Sequence, residues 1–251
     1  MSNVPVNAIQ TMFTVTEALQ EHDGVGVSEL AEQVGLPRST VFNHLKTLEQ
    51  NEYVVNDGGT YRLGCQFLKL GAKARAHHQV HEVARQDVNR LAADTGEISA
   101  MLVEEHGFGV FLHRAEGEQA VHIDSYTGQR IFLHGAALGK AILASLPREA
   151  VRDIIDSRGL PALTENTITT REALFRELDQ VADEGVAYDD QERLEGLRSV
   201  AVPLTDGDGT VIGSLSIAGP ISRVNDERFR EEFPTTLRKV AKVVELDLTY
   251  S

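Results

Sequence analysis

The stretch LPRSTVFNHLKTLE, Leu36–Glu49, concentrates side chains able to read a nucleic acid. On a helical wheel Arg38, Ser39, Thr40, Asn43, His44 and Lys46 share one side, while Val41, Leu45 and Leu48 recur at i, i+4 and i+7 on the other. An arginine guanidinium pairs two-pronged with guanine and an asparagine carboxamide with adenine; serine and threonine hydroxyls reach bases or phosphates. Such a helix works only if other elements bury its apolar stripe and leave the polar side outward.

Other chemistry-bearing groups are weaker. His77, His78 and His81 cluster, and His77 and His81 stand one turn apart, as two metal ligands would. No cysteine or carboxylate follows at ligand spacing, so exposed helix polarity is expected there and no metal. GAALGKA, Gly135 to Ala141, looks like a phosphate loop but has three residues between its glycines where four are needed, and Ala141 replaces the metal-binding hydroxyl. GDGTVIG has one residue too many for a dinucleotide fingerprint. Ser216 lacks a GxSxG setting. No catalytic residue and no cofactor is expected.

The elements around the first stretch read in order. Ile9, Met12, Phe13 and Leu19 predict an amphipathic helix in NAIQTMFTVTEALQ. HDGVG is a turn, Ser28 is placed to cap ELAEQVG, Gly35 ends it, and Pro37 opens the next helix. YVV, the bend NDGG and TYRLG then predict a hairpin bearing Arg62. Helix, helix–turn–helix and hairpin within about seventy residues (1–66) define a winged helix-turn-helix for double-stranded operator DNA.

Charge sharpens this. The chain has 38 acidic and 24 basic residues, a net −14, with only six lysines. That excludes a generic polyanion binder and fits the acidic surface of a salt-loving organism. Residues 1–65 carry three basic side chains, Arg38, Lys46 and Arg62, against eight acidic ones. Counterion release is therefore weak for one copy, and screening over about 8 Å hides acid on the far side. Affinity must come from hydrogen bonding and from paired copies, which implies a dimer on a two-fold operator. The single cysteine, Cys65, excludes an intrachain disulfide. No apolar run is long enough for a membrane span and MSNVPVNAIQ lacks the pattern of a secretory signal, so a cytoplasmic protein is expected.

Residues 67–96 read as a helical linker, with Val80, Val83 or Ala84, Val88 and Leu91 at helical spacing and Gly96 as its stop. From residue 97 to 251 the period changes. ISAMLVEE, GFGVFLHR, QAVHIDSY and QRIFLH predict an antiparallel meander. AALGKAILASL is a helix, Pro147 opens another, and Thr169 with Glu172 forms a capping box before REALFRELDQVADEG. RSVAVPLTD and TVIGSLSIAG are strands; Phe229, Phe233, Leu237, Val240 and Val244 make the last helix amphipathic, with Pro234 a kink. The class is α+β: a winged helix-turn-helix, a linker helix and an α/β domain on an antiparallel sheet.

STVFNHLKTLE with YRLG, then LHGAALGKAILASLP, LTENTITTREALFRELDQVADEGVAYDDQERLEGLRSVAVPL and GSLSIAGPISR, together resemble the IclR family of transcriptional regulators, in an archaeal, halophile-like variant. The likeness runs over nearly the whole chain. It implies a GAF-like C-terminal domain that binds a small organic effector, often a carboxylate or aromatic acid, and a homodimer or homotetramer on DNA. Carried over by position, the resemblance lines the effector pocket with Ala137, Leu138, Asp189, Ser199, Ser216 and Ala218. The family commonly has cysteine where this chain has Ser199, and often serine where it has Ala218. Ordinary core packing is the competing account of these six. The expected function is a ligand-responsive regulator. The alternatives are a small-molecule enzyme with a DNA-binding appendage, and a ligand-free architectural protein.

Overall fold

A computed structural model describes residues 5–123 and 125–250. Two compact units divide the chain, Met1–Ala74 and Arg75–Ser251.

The first unit opens with α1 (Asn7–Gln20), β1 (Val25–Gly26), α2 (Val27–Val34) and α3 (Arg38–Gln50). A hairpin follows, β2 (Val54–Asp57) and β3 (Thr60–Leu63), and β1 adds to β3 to give a three-stranded antiparallel sheet. Gly58 and Gly59, both at positive φ, form the two-residue turn opposite the Asp57–Thr60 pair, a geometry in which residues without a Cβ are favoured. Val41, Leu45 and Leu48 of α3 are buried with Val15, Leu19, Leu30 and Tyr61. Two expectations shift here. Gly26, not Ser28, occupies the N-cap of α2, and no side chain caps that end, because the helix begins directly from β1. In α1 Leu19 is buried and Met12 packs beside it, as predicted, together with Val15, whereas Ile9 and Phe13 are about half exposed, so only part of the predicted stripe packs. Gly35 ends α2 in the left-handed conformation, as its type suggests.

The predicted linker does not stand apart. It forms α4 (Gln66–Arg75), which belongs mostly to the first unit, and α5 (Gln79–Thr95), which belongs to the second. Val80, Ala84, Val88 and Leu91 of α5 are buried in the second unit's main core. An apolar stripe of that length is a packing face.

The second unit is built on a six-stranded antiparallel sheet. In chain order its strands are β4 (Ile98–Glu105), β5 (Phe108–Glu116), β6 (Arg130–Phe132), β7 (Ala187–Asp190), β8 (Leu197–Thr205) and β9 (Val211–Pro220). In space the order is β6-β5-β4-β9-β8-β7. On one face Met101, Leu112, Val200, Val202, Leu215 and Ile217 pack with α5 and with α9 (Phe233–Tyr250). On the other, Ala100, Leu102, Phe111 and Ala201 pack with α6 (Ala137–Ser145), α7 (Arg148–Arg158) and α8 (Arg171–Glu184).

Four local expectations are corrected. QAVHIDSY has no strand among its described residues; Asp124 lies outside them. Instead Ala120, Val121 and Ile123 pack on Ile98, Leu197 and Ala218 from an irregular loop. QRIFLH contributes only a three-residue strand before a 3-10 turn at Leu133–Gly135. The cap of α8 is Thr170, whose hydroxyl accepts from Ala173 N, so Thr169 and Glu172 form no capping box. Pro234 sits in the first turn of α9, and the irregularity its missing N–H imposes appears just upstream as a π-helical turn, Arg228–Glu232.

The two sides of α3 predict opposite stability effects. Leu45 is fully buried and Phe42 is 43% exposed. Leu45→Ala should cost about 2–5 kcal/mol, whereas Phe42→Ala should stay within about 0.5 kcal/mol, both read from urea midpoints.

Candidate functional site

In the first unit the polar side of α3 stands outward. Arg38, Ser39 and Asn43 are exposed, Thr40, His44 and Lys46 half-buried, and Arg62 exposed on β3, opposite Val55. Arg38 and Ser39 line an open cleft with Phe42, Glu29 of α2 and Gly59 of the hairpin turn. Helix start, preceding helix and wing tip therefore meet at one surface. Phe42 escaped the sequence reading. Its signal is an aromatic residue four positions after Arg38 on an otherwise polar face, where an apolar group can meet a thymine methyl.

Lys46 is less free than its type suggests. Its Nζ lies 2.7 Å from Glu49 Oε2, and this contact chiefly raises the lysine's proton affinity and lowers that of the glutamate. Glu49 Oε1 also accepts from Asn56 Nδ2 at 3.4 Å, tying α3 to the hairpin. Lys46 therefore brings little uncompensated charge to this surface, leaving Arg38 and Arg62 as its cations among the seven side chains singled out.

In the second unit alternation along the strands builds a cavity. Asp189 pairs with Ser199, Ser199 with Ala218, Ser216 with Ala100 and with Ala201, and Ile98 with Ala218. Each of these residues lies on the face turned toward α6, and all but Ala201 line one narrow cleft whose solvent-accessible volume is about 30 Å³. Leu138 joins them from the first turn of α6, so five of the six predicted positions share the cleft. Ala137 does not line it; the first residue of α6, it is fully buried in the core shared with α7 and α8. Ala136 lines the cleft instead.

Asp189 does not point a free carboxylate at a ligand. Oδ1 accepts the backbone N–H of Glu192 at 2.7 Å and of Arg193 at 3.3 Å, and Ser199 Oγ donates to Oδ2 at 3.2 Å. Burial pushes its proton affinity up against these donors and the nearby Lys140. Its chemistry is spent on the turn between β7 and β8.

That turn is pinned a second time. Lys140, the lysine of GAALGKA, is fully buried, with Nζ 2.8 Å from Glu177 Oε1 and 2.6 Å from Glu192 Oε1. The segment is an ion-paired helix rather than a phosphate loop. A Cβ on Gly139 would lie 2.1 Å from the carbonyl oxygen of Leu133, so glycine is required there by close approach. The histidine cluster also departs from expectation. His77 is exposed, but His81 is buried at the start of α5, edge-on to His113 of β5 with ring centres 5.9 Å apart. Burial lowers the proton affinity of both rings. No group of three or more histidine, cysteine or acidic side chains among the described residues could hold a metal.

A winged helix-turn-helix with an outward polar helix, followed by a helix-sandwiched sheet with a narrow internal cleft, fits the class of ligand-responsive DNA-binding regulators. The comparisons agree. The IclR helix-turn-helix domain model matches residues 12–58, and that of the bacterial transcriptional regulator IclR C-terminal domain matches residues 72–246. The regulator KdgR of Escherichia coli is 32% identical over 250 residues, 98% of this chain and 94% of its own. The crystal structure of Thermotoga maritima IclR superposes with a TM-score of 0.83 at 26% identity, covering 97% of this chain and 99% of that one. An IclR homologue of Microbacterium hydrocarbonoxydans complexed with 4-hydroxybenzoate shares the fold, with a TM-score of 0.80 at 24% identity over 96% of this chain and 100% of its own. The chain belongs to the IclR family of transcriptional regulators. Among its described residues no helix is long and apolar enough to cross a membrane.

Glu192 supplies a pH test. Burial, opposed by Lys140, raises its carboxyl to about 7 from an ordinary 4.5. The folded state then holds a proton that the unfolded state has released, so this group's contribution to stability falls as pH rises from about 4.5 to about 7 and is flat above. Glu192→Gln should remove that component. Urea midpoints between pH 5 and 8 should decline less in the variant than in the parent; equal declines would show that Glu192 does not titrate in this window.

Proposed function

We propose that the chain binds double-stranded operator DNA as a homodimer or homotetramer, through Arg38, Ser39, Thr40, Asn43 and His44 of α3 with Lys46 and Arg62 beside them. Binding is adjusted by a small organic acid held in the cleft of the second unit, near Leu138, Ser199, Ser216 and Ala218. The observation that carries this reading is the outward polar face of α3 set beside the wing, in the same chain as an internal cleft. A structural neighbour in complex with an organic acid supports the effector class. We read the cleft as a binding site without turnover and without a cofactor, since Asp189 is committed to backbone and serine partners. The sparse cations at the interface require two copies, because few phosphates are neutralised by one.

A mobility-shift assay on a randomised duplex pool, with and without organic acids, tests the reading. Loss of any acid-dependent change would remove the effector half and leave DNA binding intact. Arg38→Ala should cost about 1–3 kcal/mol and relax preference at one base of the selected site. Uniform weakening across sequences would place Arg38 on a phosphate.

The acidic surplus suits a cytoplasm of high salt. The melting temperature should rise when potassium chloride is increased from about 0.1 M to about 1 M, where the screening length shrinks to about 3 Å; a fall would argue against that setting.

A further inference from the structure

Two arginines line the cleft, and neither is among the positions that the sequence resemblance marks. Arg114 comes from β5. Residues 111 and 114 are an odd number apart and would face opposite ways in an unbroken strand. A bulge intervenes: Met101 pairs with His113 but Leu102 with Phe111, leaving Leu112 as the extra residue. Phe111 and Arg114 thereby both face the cleft, while Leu112 is buried in the other core.

The Arg114 side chain is 11% exposed. Its Nη1 donates to Glu116 Oε1 at 2.5 Å, on the exposed side. Nε and Nη2 are buried with no partner among the described residues. Those two N–H groups lie side by side on one edge of the guanidinium, the edge whose spacing matches the two oxygens of a carboxylate. Arg193 approaches from the β7–β8 turn, its guanidinium carbon 5.3 Å from the centre of the Phe111 ring. Burial lowers its proton affinity; Asp189 opposes that and the like charge of Arg114 adds to it. Asp189 answers this only in part, because both its oxygens already accept other hydrogen bonds. The buried Nε and Nη2 of Arg114 lack an acceptor among the described residues, which is costly, and the like charge of the half-buried Arg193 adds to that cost. One carboxylate, with about four acceptor directions, can satisfy both guanidinium groups.

We propose that Arg114 and Arg193 clamp the carboxylate of a small hydroxylated monocarboxylic acid, Arg114 through its Nε–Nη2 edge and Arg193 as the second cation. The hydroxyl end of the ligand meets Ser216 and Ser199. This rests on the effector-cleft reading above and commits it to one recognition chemistry, with the acid's charge at the arginine pair rather than at the entrance of α6.

The test follows thermal unfolding of the full chain by calorimetry, at constant ionic strength with chloride as the control anion. 4-Hydroxybenzoate and D-glycerate are titrated beside their uncharged counterparts, 4-hydroxybenzamide and glycerol. We expect a saturable rise in melting temperature with at least one acid and not with its counterpart. Arg114→Gln and Arg193→Gln should each weaken the protective acid about ten- to a hundredfold. Arg114→Lys, which keeps the charge but loses the paired donors, should also weaken it and guards against misfolding of the glutamine variant. The clamp is overturned if acid and uncharged counterpart protect equally, if the arginine variants retain parental affinity, or if neither acid protects. Each of these leaves the effector reading standing as long as some small molecule still alters operator binding in the mobility-shift assay. Only a silent result in that assay removes the reading itself.

Discussion

The second unit depends on one constraint: its sheet is buried on both faces. Side chains alternate along a strand, so parity, reset once by the bulge in β5, decides which face of the sheet a residue takes. Met101, Val200, Val202, Leu215 and Ile217 fill the side covered by α5 and α9. Ser199, Ser216 and Ala218 take the intervening positions and line the cleft. Small or hydroxylated residues there leave room, whereas the larger apolar side chains of the opposite parity fill the core. A one-residue slip in β8 or β9 would put Val200 or Ile217 into the cleft and serines into the core. The register is therefore what creates the site, and both sets of side chains specify it.

The first unit faces a different constraint, that of charge. Of its three cations to residue 65, Lys46 is held by Glu49, and Glu29 lines the same cleft as Arg38. A surface arranged this way is poorly suited to nonspecific electrostatic capture, which scales with the phosphates neutralised. It is suited to reading by shape and hydrogen bond, with Phe42 adding an apolar contact. The Lys46–Glu49–Asn56 chain also fixes the wing to α3. Charge that could have gone to affinity thus contributes to the geometry of the reading head.

Much of this was legible in the sequence. The period of Val41, Leu45 and Leu48 located α3 and the double glycine located the wing turn, whereas Ser199, Ser216 and Ala218 were marked by the family resemblance, and the pairing of β8 with β9 puts them on one face. The failures share a cause, namely that local signals were overruled by neighbours. Ser28 has a capping side chain, yet α2 starts from β1. QAVHIDSY has strand composition, yet its apolar residues cover Ile98 and Ala218 from a loop. Asp189 is a pocket residue by position, but the N–H groups of the turn it supports take its acceptor capacity. Arg114 was out of reach, since only a bulge shared with β4 turns it inward, and no property of a single strand announces a mismatch in pairing.

The buried charges show why that part of the chain tolerates cost. Lys140, fully buried, is paired with Glu192 and with the partly exposed Glu177, and burying such a charge is seldom more stabilising than apolar packing of the same volume. What this one supplies is direction. Glu192 is held from α6 and Asp189 from within the turn, so residues 189–193 are fixed at three points by groups that hydrogen-bond in defined directions. Apolar side chains could fill the same space but would let the turn settle in several ways. Arg193 extends from that braced turn toward the cleft, and its placement over Phe111 inherits the turn's rigidity. The arrangement exchanges stability for a preset position of one guanidinium, which is the exchange expected where a charged group must already be in place before its partner arrives.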